Sequence, residues 1–178
     1  MKVEDTYMEG LKIIHPAVFE DGRGWFFESY SEARYREAGI GVTFVQDNHS
    51  MSSKKGTLRG LHFQAGEMAQ SKLVSCSRGA ALDVAVDLRQ GSPTYGKWFS
   101  VTLSAENKKQ LFIPKGFAHG FLTLEDDTEI QYKVDSYYSK EHERSIIYDD
   151  PGIGVDWGLT GLPILSEKDA NAPGLGDL

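Results

Sequence analysis

The sequence predicts an all-β fold in which antiparallel strands form a sandwich or barrel, with a few short helices at the periphery. Short runs rich in β-branched and aromatic residues recur along most of the chain, and turn residues separate them. Only segment 31–38 has the features of a convincing helix. No repeat, low-complexity tract or linker divides the sequence, so we expect residues 1–178 to form one domain.

Composition narrows the classes of function. The chain has 178 residues and a net charge of -7, which argues against nucleic-acid and membrane-surface partners but is compatible with an anionic small ligand. Its single cysteine, Cys76, excludes an intramolecular disulfide and suits a reducing compartment. The sequence contains neither an apolar run of the ~18 residues that a membrane span needs nor the apolar core of a signal peptide. We therefore expect a cytoplasmic protein.

The predicted strands are short, and most are bounded by Gly, Pro, Asn or Asp. Segment 80–88 alternates most clearly, because Asp83, Ala85 and Asp87 share one face while the leucine and valines between them share the other. The predicted strands, in chain order, are residues 10–15, 18–19, 23–30, 42–50, 56–64, 71–77, 80–88, 97–103, 111–113, 121–124 and 128–134.

The remaining segments are predicted from turn and cap residues. Ser31 can cap the one predicted helix, and Gly39 can end it. Segments 121–124 and 128–134 flank an acidic turn, which predicts a β-hairpin. The part of the chain from Asp149 onwards is rich in Pro and Gly, and we expect it to wrap the outside of the fold.

Segment 56–64 carries the first candidate catalytic residues. It has the alternation of a strand in which Arg59 faces one side and His62 the other. Gly60 indicates a bulge or a close backbone approach, either of which would relax that alternation. A lone histidine among apolar residues is more often a hydrogen-bonded core residue than a catalytic one, so other motifs must decide the role of His62.

A second motif, Pro-x-Gly-x-x-His ending at His119, fits the pattern by which cupins deliver a histidine into the mouth of a β-barrel. We therefore expect a cupin-type jelly roll, also called a double-stranded β-helix. Metal-binding cupins also supply His-x-His and then a glutamate, whereas the matching positions here are His62-x-Gln64 and Lys72. An ammonium group repels a divalent cation, so the sequence predicts a cupin without a metal.

A site without a metal must use its side chains for acid–base chemistry. His62 can remove a proton, since histidine is the side chain that most often serves as a general base. Lys72 and His119 can hold negative charge that develops on a carbonyl oxygen. Tyr132 can return a proton from the far side of the substrate. Asp169 can accept the imidazole N–H of His62 and so raise the basicity of that ring.

Several of these residues also have a structural interpretation that the sequence leaves open. Tyr132 is equally explained as a core aromatic residue, Lys72 as a solvated strand end, and Asp169 as a turn aspartate. Gln46 and Asn48 share a strand face, where their amides can either bind a ligand or cap a turn. No dinucleotide-binding, Walker or nucleophile-elbow motif is present, so nicotinamide, flavin, ATP and serine-hydrolase chemistry have no support.

Longer runs, taken together, resemble the dTDP-4-dehydrorhamnose 3,5-epimerase family across nearly the whole chain, in matching order and spacing. A resemblance of this extent is far more specific than any single motif. The runs that carry it are Arg23-Gly24-x-Phe26, Gln46-Asp47-Asn48-x-Ser50-x-Ser52, Leu58-Arg59-Gly60-Leu61-His62-Phe63-Gln64, Asp83-Val84-Ala85-Val86-Asp87-Leu88-Arg89, Ile113-Pro114-x-Gly116-Phe117-Ala118-His119-Gly120-Phe121 and Leu165-Ser166-x-Lys168-Asp169.

The resemblance implies a homodimeric jelly roll that needs no metal or cofactor. It also implies inversion of C3 and C5 of dTDP-4-dehydro-6-deoxy-D-glucose to give dTDP-4-dehydro-L-rhamnose, for dTDP-L-rhamnose biosynthesis. The family's base falls on His62, and Asp169 matches the residue that orients it. Tyr132 matches the proton donor, and Lys72 matches the residue beside the 4-keto oxygen. Other positions that match contacts to the nucleotide sugar are Arg23, Glu28, Gln46, Asn48, Arg59, His119, Glu143, Lys168 and Tyr138, the last an aromatic residue that stacks on thymine.

In the family, the aromatic N-terminal strand tends to cross to the partner subunit, so Arg23 and Glu28 are expected to serve the partner's site. The sequence departs from the family pattern at 65–68, Val134 and Gly158, none of which is a proposed catalytic position. These departures concern loop shape and nucleotide preference rather than the class of reaction.

Four alternatives compete with the double epimerase. A relative that inverts only C3 or only C5 would keep the same acid and base. A 3,4-ketoisomerase on a similar barrel is disfavoured because the 3,5-epimerase motifs are intact. A non-catalytic sugar-nucleotide-binding module would be favoured by loss of His62 or Tyr132, and both are present. A metal-dependent cupin oxygenase would require bound iron or nickel.

Overall fold

The computed structural model describes residues 1–178 and consists mainly of short strands, as the sequence predicts. No helix is both long and apolar enough to cross a membrane. The elements are strands β1 Lys2–Asp5, β2 Lys12–His15, β3 Val18–Asp21, β4 Gly24–Phe27, β5 Gln46–Ser52, β6 Leu58–Gln64, β7 Lys72–Arg78, β8 Ala80–Asp87, β9 Trp98–Ser104, β10 Gln110–Ile113, β11 Phe117–Thr123, β12 Thr128–Val134 and β13 Glu143–Ser145, helices α1 Glu32–Glu37 and α2 Glu167–Ala170, and 3₁₀ turns Gly66–Met68 and Leu175–Asp177.

Two antiparallel sheets contain most of the strands. One has six strands in the order β1-β2-β10-β7-β12-β5, and the other has five in the order β13-β6-β11-β8-β9. Most neighbouring strands are distant in sequence, which is typical of a jelly roll rather than of a series of hairpins. Strands β3 and β4 form a separate two-stranded ribbon. The predicted all-β, cupin-type jelly roll is confirmed.

Apolar side chains pack in three clusters. The central cluster takes residues from both sheets, including Val74 and Ile130 from the six-stranded sheet and Ala85 and Phe121 from the five-stranded sheet. The C-terminal segment covers the other face of the five-stranded sheet, where Trp157 is buried, which confirms that this segment wraps the outside. The predicted helix is present as α1, and it packs on the outer face of the six-stranded sheet.

The predicted hairpin of residues 121–124 and 128–134 is wrong. Strand β11 pairs with β6 and β8, whereas β12 pairs with β5 and β7, so the two strands lie in different sheets. The acidic turn between them carries the chain from one sheet to the other, and turn residues suit either course equally well. The sequence prediction also missed β1 and β13, which are short and largely polar.

Gly60 makes a bulge in β6 that shapes the interior of the fold. The register between β6 and β11 shifts between Arg59 and the His62–His119 pair. Gly60 has a φ of +129°, and a Cβ on it would lie 2.5 Å from the Cα of Gly120, so only glycine fits there. The sequence predicted that Arg59 and His62 face opposite sides of this strand. Because of the bulge, they line the same cavity instead.

Candidate active site

A cavity of about 580 Å³ opens between the two sheets. Strands β5, β7 and β12 of the six-stranded sheet line one side, and β6 and β11 of the five-stranded sheet line the other. The segment around α2 closes one end. The residues predicted from the sequence that this cavity brings together are Gln46, Asn48, Arg59, His62, Lys72, His119, Tyr132, Tyr138, Glu143, Lys168 and Asp169.

His62 and Asp169 form a hydrogen-bonded pair at the α2 end of the cavity. His62 Nε2 lies 2.5 Å from Asp169 Oδ1, and Asp169 is buried. Ser166 caps α2 and fixes the carboxylate, since its hydroxyl donates to Asp169 Oδ2 at 2.9 Å. Burial alone would raise the pKa of Asp169, but the hydrogen bond and charge of His62 outweigh it and hold the pKa below its usual value. An ionised carboxylate can only accept, so Nε2 of His62 carries a hydrogen, and in the neutral form of the ring the lone pair is on Nδ1.

His119 and Asp83 form a second pair, deeper in the fold. His119 Nε2 lies 3.1 and 3.0 Å from the two carboxylate oxygens of Asp83, whose side chain is fully buried. Burial lowers the pKa of His119, although the charge and hydrogen bond of Asp83 oppose that shift. A neutral His119 that donates from Nε2 has only an acceptor at Nδ1.

Lys72 supplies a buried cation between these pairs. Its Nζ lies 3.4 Å from the backbone oxygen of His62 and 5.8 Å from the centre of the Tyr132 ring. Burial lowers the pKa of Lys72 to about 8, and the negative charges of Asp83 and Glu143 limit that shift. The ammonium form therefore predominates at neutral pH. The expectation of a solvated strand end does not hold for this side chain, since only 8% of the residue is exposed.

Tyr132 enters the cavity from β12, on the sheet opposite His62. Its ring meets the His119 ring edge-on, with 6.5 Å between the centroids. Burial raises the pKa of Tyr132 above its usual value, so the phenol keeps its proton at neutral pH. The hydroxyl makes no hydrogen bond to another residue and remains available to a molecule in the cavity.

Five residues on the exposed side of the cavity form a hydrogen-bonded chain, here called the rim network: Asn48, Gln46, Tyr138, Glu143 and Lys168. Gln46 Nε2 donates to Asn48 Oδ1 at 2.9 Å, and Gln46 Oε1 accepts the backbone N–H of Tyr138 at 3.2 Å. Glu143 Oε2 accepts the Tyr138 hydroxyl at 3.2 Å and pairs with Lys168 Nζ at 2.7 Å. The network joins β5, the loop before β13, and α2.

Arg59 is a cation in the cavity without a carboxylate partner. Its Nε donates to Ser52 Oγ at 3.1 Å, and its terminal nitrogen donates to the backbone oxygen of Met51 at 3.1 Å. These two bonds fix the guanidinium beside the cavity without neutralising it. A fixed guanidinium of this kind suits a phosphate or diphosphate group.

Arg23 and Glu28 lie outside the cavity. Arg23 is at the tip of the β3–β4 ribbon, where its side chain is 90% exposed and pairs with Asp21 at 2.6 Å. Glu28 pairs with Arg34 of α1 at 3.4 Å. The chain by itself therefore does not bring these two residues to the other candidate site residues.

Sequence reasoning missed Asp83 and Gln64 as candidates for the site. The alternation of β8 places Asp83 on the same strand face as Ala85, which faces the core. An acidic residue at such a position needs a buried partner, and this could have pointed to its pairing with a histidine. The sequence marks Gln64 only as a replacement for a metal-binding histidine, yet this residue is buried and fully hydrogen-bonded. No group of three or more His, Cys, Asp or Glu side chains is arranged to hold a metal ion.

Comparisons with known proteins identify the family of this chain. The family model for dTDP-4-dehydrorhamnose 3,5-epimerase matches residues 5–177. The dTDP-4-dehydrorhamnose 3,5-epimerase of Salmonella typhimurium is 56% identical, and the match covers 97% of this chain and 94% of that protein.

Solved structures share the fold over nearly the whole chain. The dTDP-6-deoxy-D-glucose-3,5-epimerase of Legionella pneumophila, solved with dTDP-4-keto-L-rhamnose, has a TM-score of 0.94 and 50% identity, covering 98% of this chain and 93% of that one. A 3'-monoepimerase of Streptomyces bikiniensis, solved with dTDP-quinovose, has a TM-score of 0.90 and 36% identity, covering 96% and 86%. The chain thus belongs to the dTDP-4-dehydrorhamnose 3,5-epimerase family, and it is an isomerase of the epimerase class.

Proposed function

We propose that this chain epimerises dTDP-4-dehydro-6-deoxy-D-glucose at C3 and C5 to dTDP-4-dehydro-L-rhamnose, a step of dTDP-L-rhamnose biosynthesis. The observation that carries the proposal is the position of His62 and Tyr132 on opposite sheets of one cavity, with the Lys72 ammonium beside them. Inversion of a carbon needs a base on one face of the substrate and an acid on the other. The Salmonella and Legionella epimerases support the choice of substrate, since the Legionella enzyme was solved with dTDP-4-keto-L-rhamnose.

His62 acts as the base in this proposal. Asp169 accepts the Nε2 hydrogen, so the Nδ1 lone pair removes a proton from the carbon next to the ketone. The imidazolium that forms is stabilised by the buried carboxylate. The carbon–hydrogen electron pair moves into an enolate, whose charge resides on the 4-oxygen.

Lys72 stabilises that enolate oxygen. It is a buried cation in the cavity, and a charge in a site that excludes water acts more strongly than one in solution. We assign His119 a different role, because its Nε2–H is committed to Asp83 and a neutral Nδ1 can only accept. His119 then accepts a hydrogen bond from a sugar hydroxyl and orients the ring.

Tyr132 returns a proton to the opposite face of the same carbon. Its raised pKa keeps the phenol protonated, and an enolate carbon accepts a proton from so weak an acid. The 4-keto group acidifies the hydrogens of C3 and C5 alike, so a single set of residues serves both centres. Solvent then restores the proton on Tyr132 and removes the one on His62.

The other end of the substrate binds along the exposed side of the cavity. Arg59 and Lys168 bind the diphosphate, because they are cations that line the cavity and suit its negative charge. Tyr138 stacks on thymine. The amides of Gln46 and Asn48 contact the polar groups of the nucleotide sugar.

We further propose a cytoplasmic homodimer without a metal or cofactor, in which residues 1–178 act as one domain. The β3–β4 ribbon of each subunit crosses to the partner and contributes Arg23 and Glu28 to the partner's site. The exposed aromatic side chains of that ribbon, Phe19, Trp25 and Phe26, support this arrangement, since a partner would cover them.

A single-centre epimerase is the second candidate. The Streptomyces 3'-monoepimerase shares the fold at 36% identity, so the fold alone is compatible with inversion of one carbon. Solvent-deuterium incorporation distinguishes the two candidates, with label read by position in the sugar. Label at both C3 and C5 that disappears in His62→Ala supports the double epimerase, whereas label at one carbon supports the monoepimerase. Tight binding without any exchange would contradict both.

A further inference from the structure

Gln64 ends strand β6, two residues after His62, and is only 5% exposed. It occupies the position at which a metal-binding cupin would carry its second histidine. A buried primary amide must satisfy two donors and an acceptor, so its partners identify what it holds in place.

All three partners of the Gln64 amide are backbone groups. Nε2 donates to the carbonyl oxygen of Met68 at 2.6 Å and to that of Tyr137 at 3.1 Å. Oε1 accepts the backbone N–H of Ser139 at 2.6 Å. Tyr137 and Ser139 flank Tyr138, so the Gln64 side chain holds the backbone on both sides of that residue.

Tyr138 itself is held at two further points. Its backbone N–H donates to Gln46, and its hydroxyl donates to Glu143. Its side chain is nevertheless largely exposed, because the residue keeps 55% of its accessible surface. An exposed ring in a loop loses conformational entropy when it stacks on a ligand, unless the backbone is already fixed.

We infer that Gln64 is a positioning residue for nucleotide binding, which acts by fixing the loop that presents Tyr138 to the base of the substrate. The inference rests on the function proposed above. Gln64 lines the cavity but has no amide hydrogen left for the substrate. One hydrogen is donated to Tyr137 in the loop and the other to Met68 in the 3₁₀ turn that follows β6. The position that holds a metal in other cupins thus organises the nucleotide subsite here.

The test compares two substitutions at Gln64. For each variant, the dissociation constant of dTDP is measured, together with KM and kcat for the sugar nucleotide. Gln64→Leu removes all three hydrogen bonds, and Gln64→Glu keeps the size of the side chain but has no donor for the two carbonyl groups. Both variants are expected to raise KM and the dissociation constant of dTDP about tenfold, the range expected for one base stacked on an aromatic ring. We expect kcat to change by less than about twofold, because the proposed contact of Tyr138 is with the base and not with the reacting carbons.

Gln131→Leu is the matched control. Gln131 is an exposed glutamine on β12, outside the cavity, and its substitution should leave KM and kcat unchanged. A loss of kcat at unchanged KM in the Gln64 variants would overturn the inference, because it would show that Gln64 acts on His62 instead. Unchanged KM and kcat in both variants would also overturn it.

A double variant separates positioning from a general effect on folding. Once Tyr138→Ala has removed the ring, the further substitution Gln64→Leu should weaken dTDP binding by less than about twofold. If the two substitutions weaken dTDP binding additively, the inference is contradicted. Failure of the proposed function is recognised separately, because the wild-type protein would then neither bind dTDP nor convert the sugar nucleotide.

Discussion

His62 and His119 lie directly opposite each other on neighbouring strands, and each ring donates to a buried carboxylate. The two imidazoles nevertheless differ in access, since the His62 side chain is 31% exposed and the His119 side chain 6%. Asp169 holds the accessible ring, and Asp83 holds the enclosed one. This difference supports the proposal that His62 is the catalytic base and that His119 orients the substrate.

The carboxylate of Asp169 should be essential for the base. Asp169→Asn keeps the size of the side chain but offers an amide that can donate to Nε2, which favours the wrong tautomer of His62. We expect kcat to fall by about 10²–10⁴-fold with a smaller change in KM. Steady-state kinetics measure this, with a thermal unfolding scan to verify the fold. A decrease of less than about tenfold would contradict the role assigned to Asp169.

The activity should decline in mildly alkaline solution because Lys72 loses its charge. Burial lowers the pKa of Lys72 to about 8, so the ammonium form is present below that pH and is lost as the pH rises through it. A profile of kcat/KM against pH should therefore fall above pH about 8. Lys72→Met should lower kcat/KM by about 10²–10³-fold and abolish this alkaline limb. If kcat/KM of Lys72→Met still falls in the same alkaline range, a group other than Lys72 causes the decline.

Gly60 should be irreplaceable for stability. A Cβ at this position would lie 2.5 Å from the Cα of Gly120 and 2.9 Å from the backbone oxygen of His119. We expect Gly60→Ala to lower the free energy of unfolding by at least about 2 kcal/mol, measured by urea denaturation. Gly161→Ala is the control, since a Cβ on Gly161 would meet nothing within 4 Å and its φ lies outside the left-handed region. Equal free energies of unfolding for the two variants would contradict the prediction and show that β6 adjusts to a side chain at the bulge.

The proposed exchange of Arg23 between subunits can be tested with mixed dimers. A dimer of one Arg23→Ala chain and one His62→Ala chain has one intact site if Arg23 serves the partner, because the two lesions then fall in the same site. Random mixing should restore about a quarter of wild-type activity per chain. If Arg23 serves its own chain, both sites carry a lesion and no activity returns. Each variant refolded alone is the control.

The sequence predicted the fold class and most of the cavity because the relevant signals are local. The His-x-Gln and Pro-x-Gly-x-x-His motifs each mark a strand that delivers a histidine, and the resemblance favoured the catalytic over the structural interpretation of Tyr132 and Asp169. The pairing of His119 with Asp83 depends on the register of β8 and β11, which no local pattern contains. The same limit explains the wrong hairpin, since an acidic turn suits a hairpin and a crossing between sheets alike.

The most direct test of the two-sided mechanism is deuterium exchange catalysed by Tyr132→Phe in heavy water. With His62 intact and the acid removed, the base can still take a proton from the carbon and return a deuteron to the same face. We expect label at C3 and C5 with the original configuration retained, and inversion reduced by about 10²-fold or more. His62→Ala should give neither label nor inversion. Inversion at the wild-type rate in Tyr132→Phe, or loss of exchange and inversion together in a folded variant, would contradict the account.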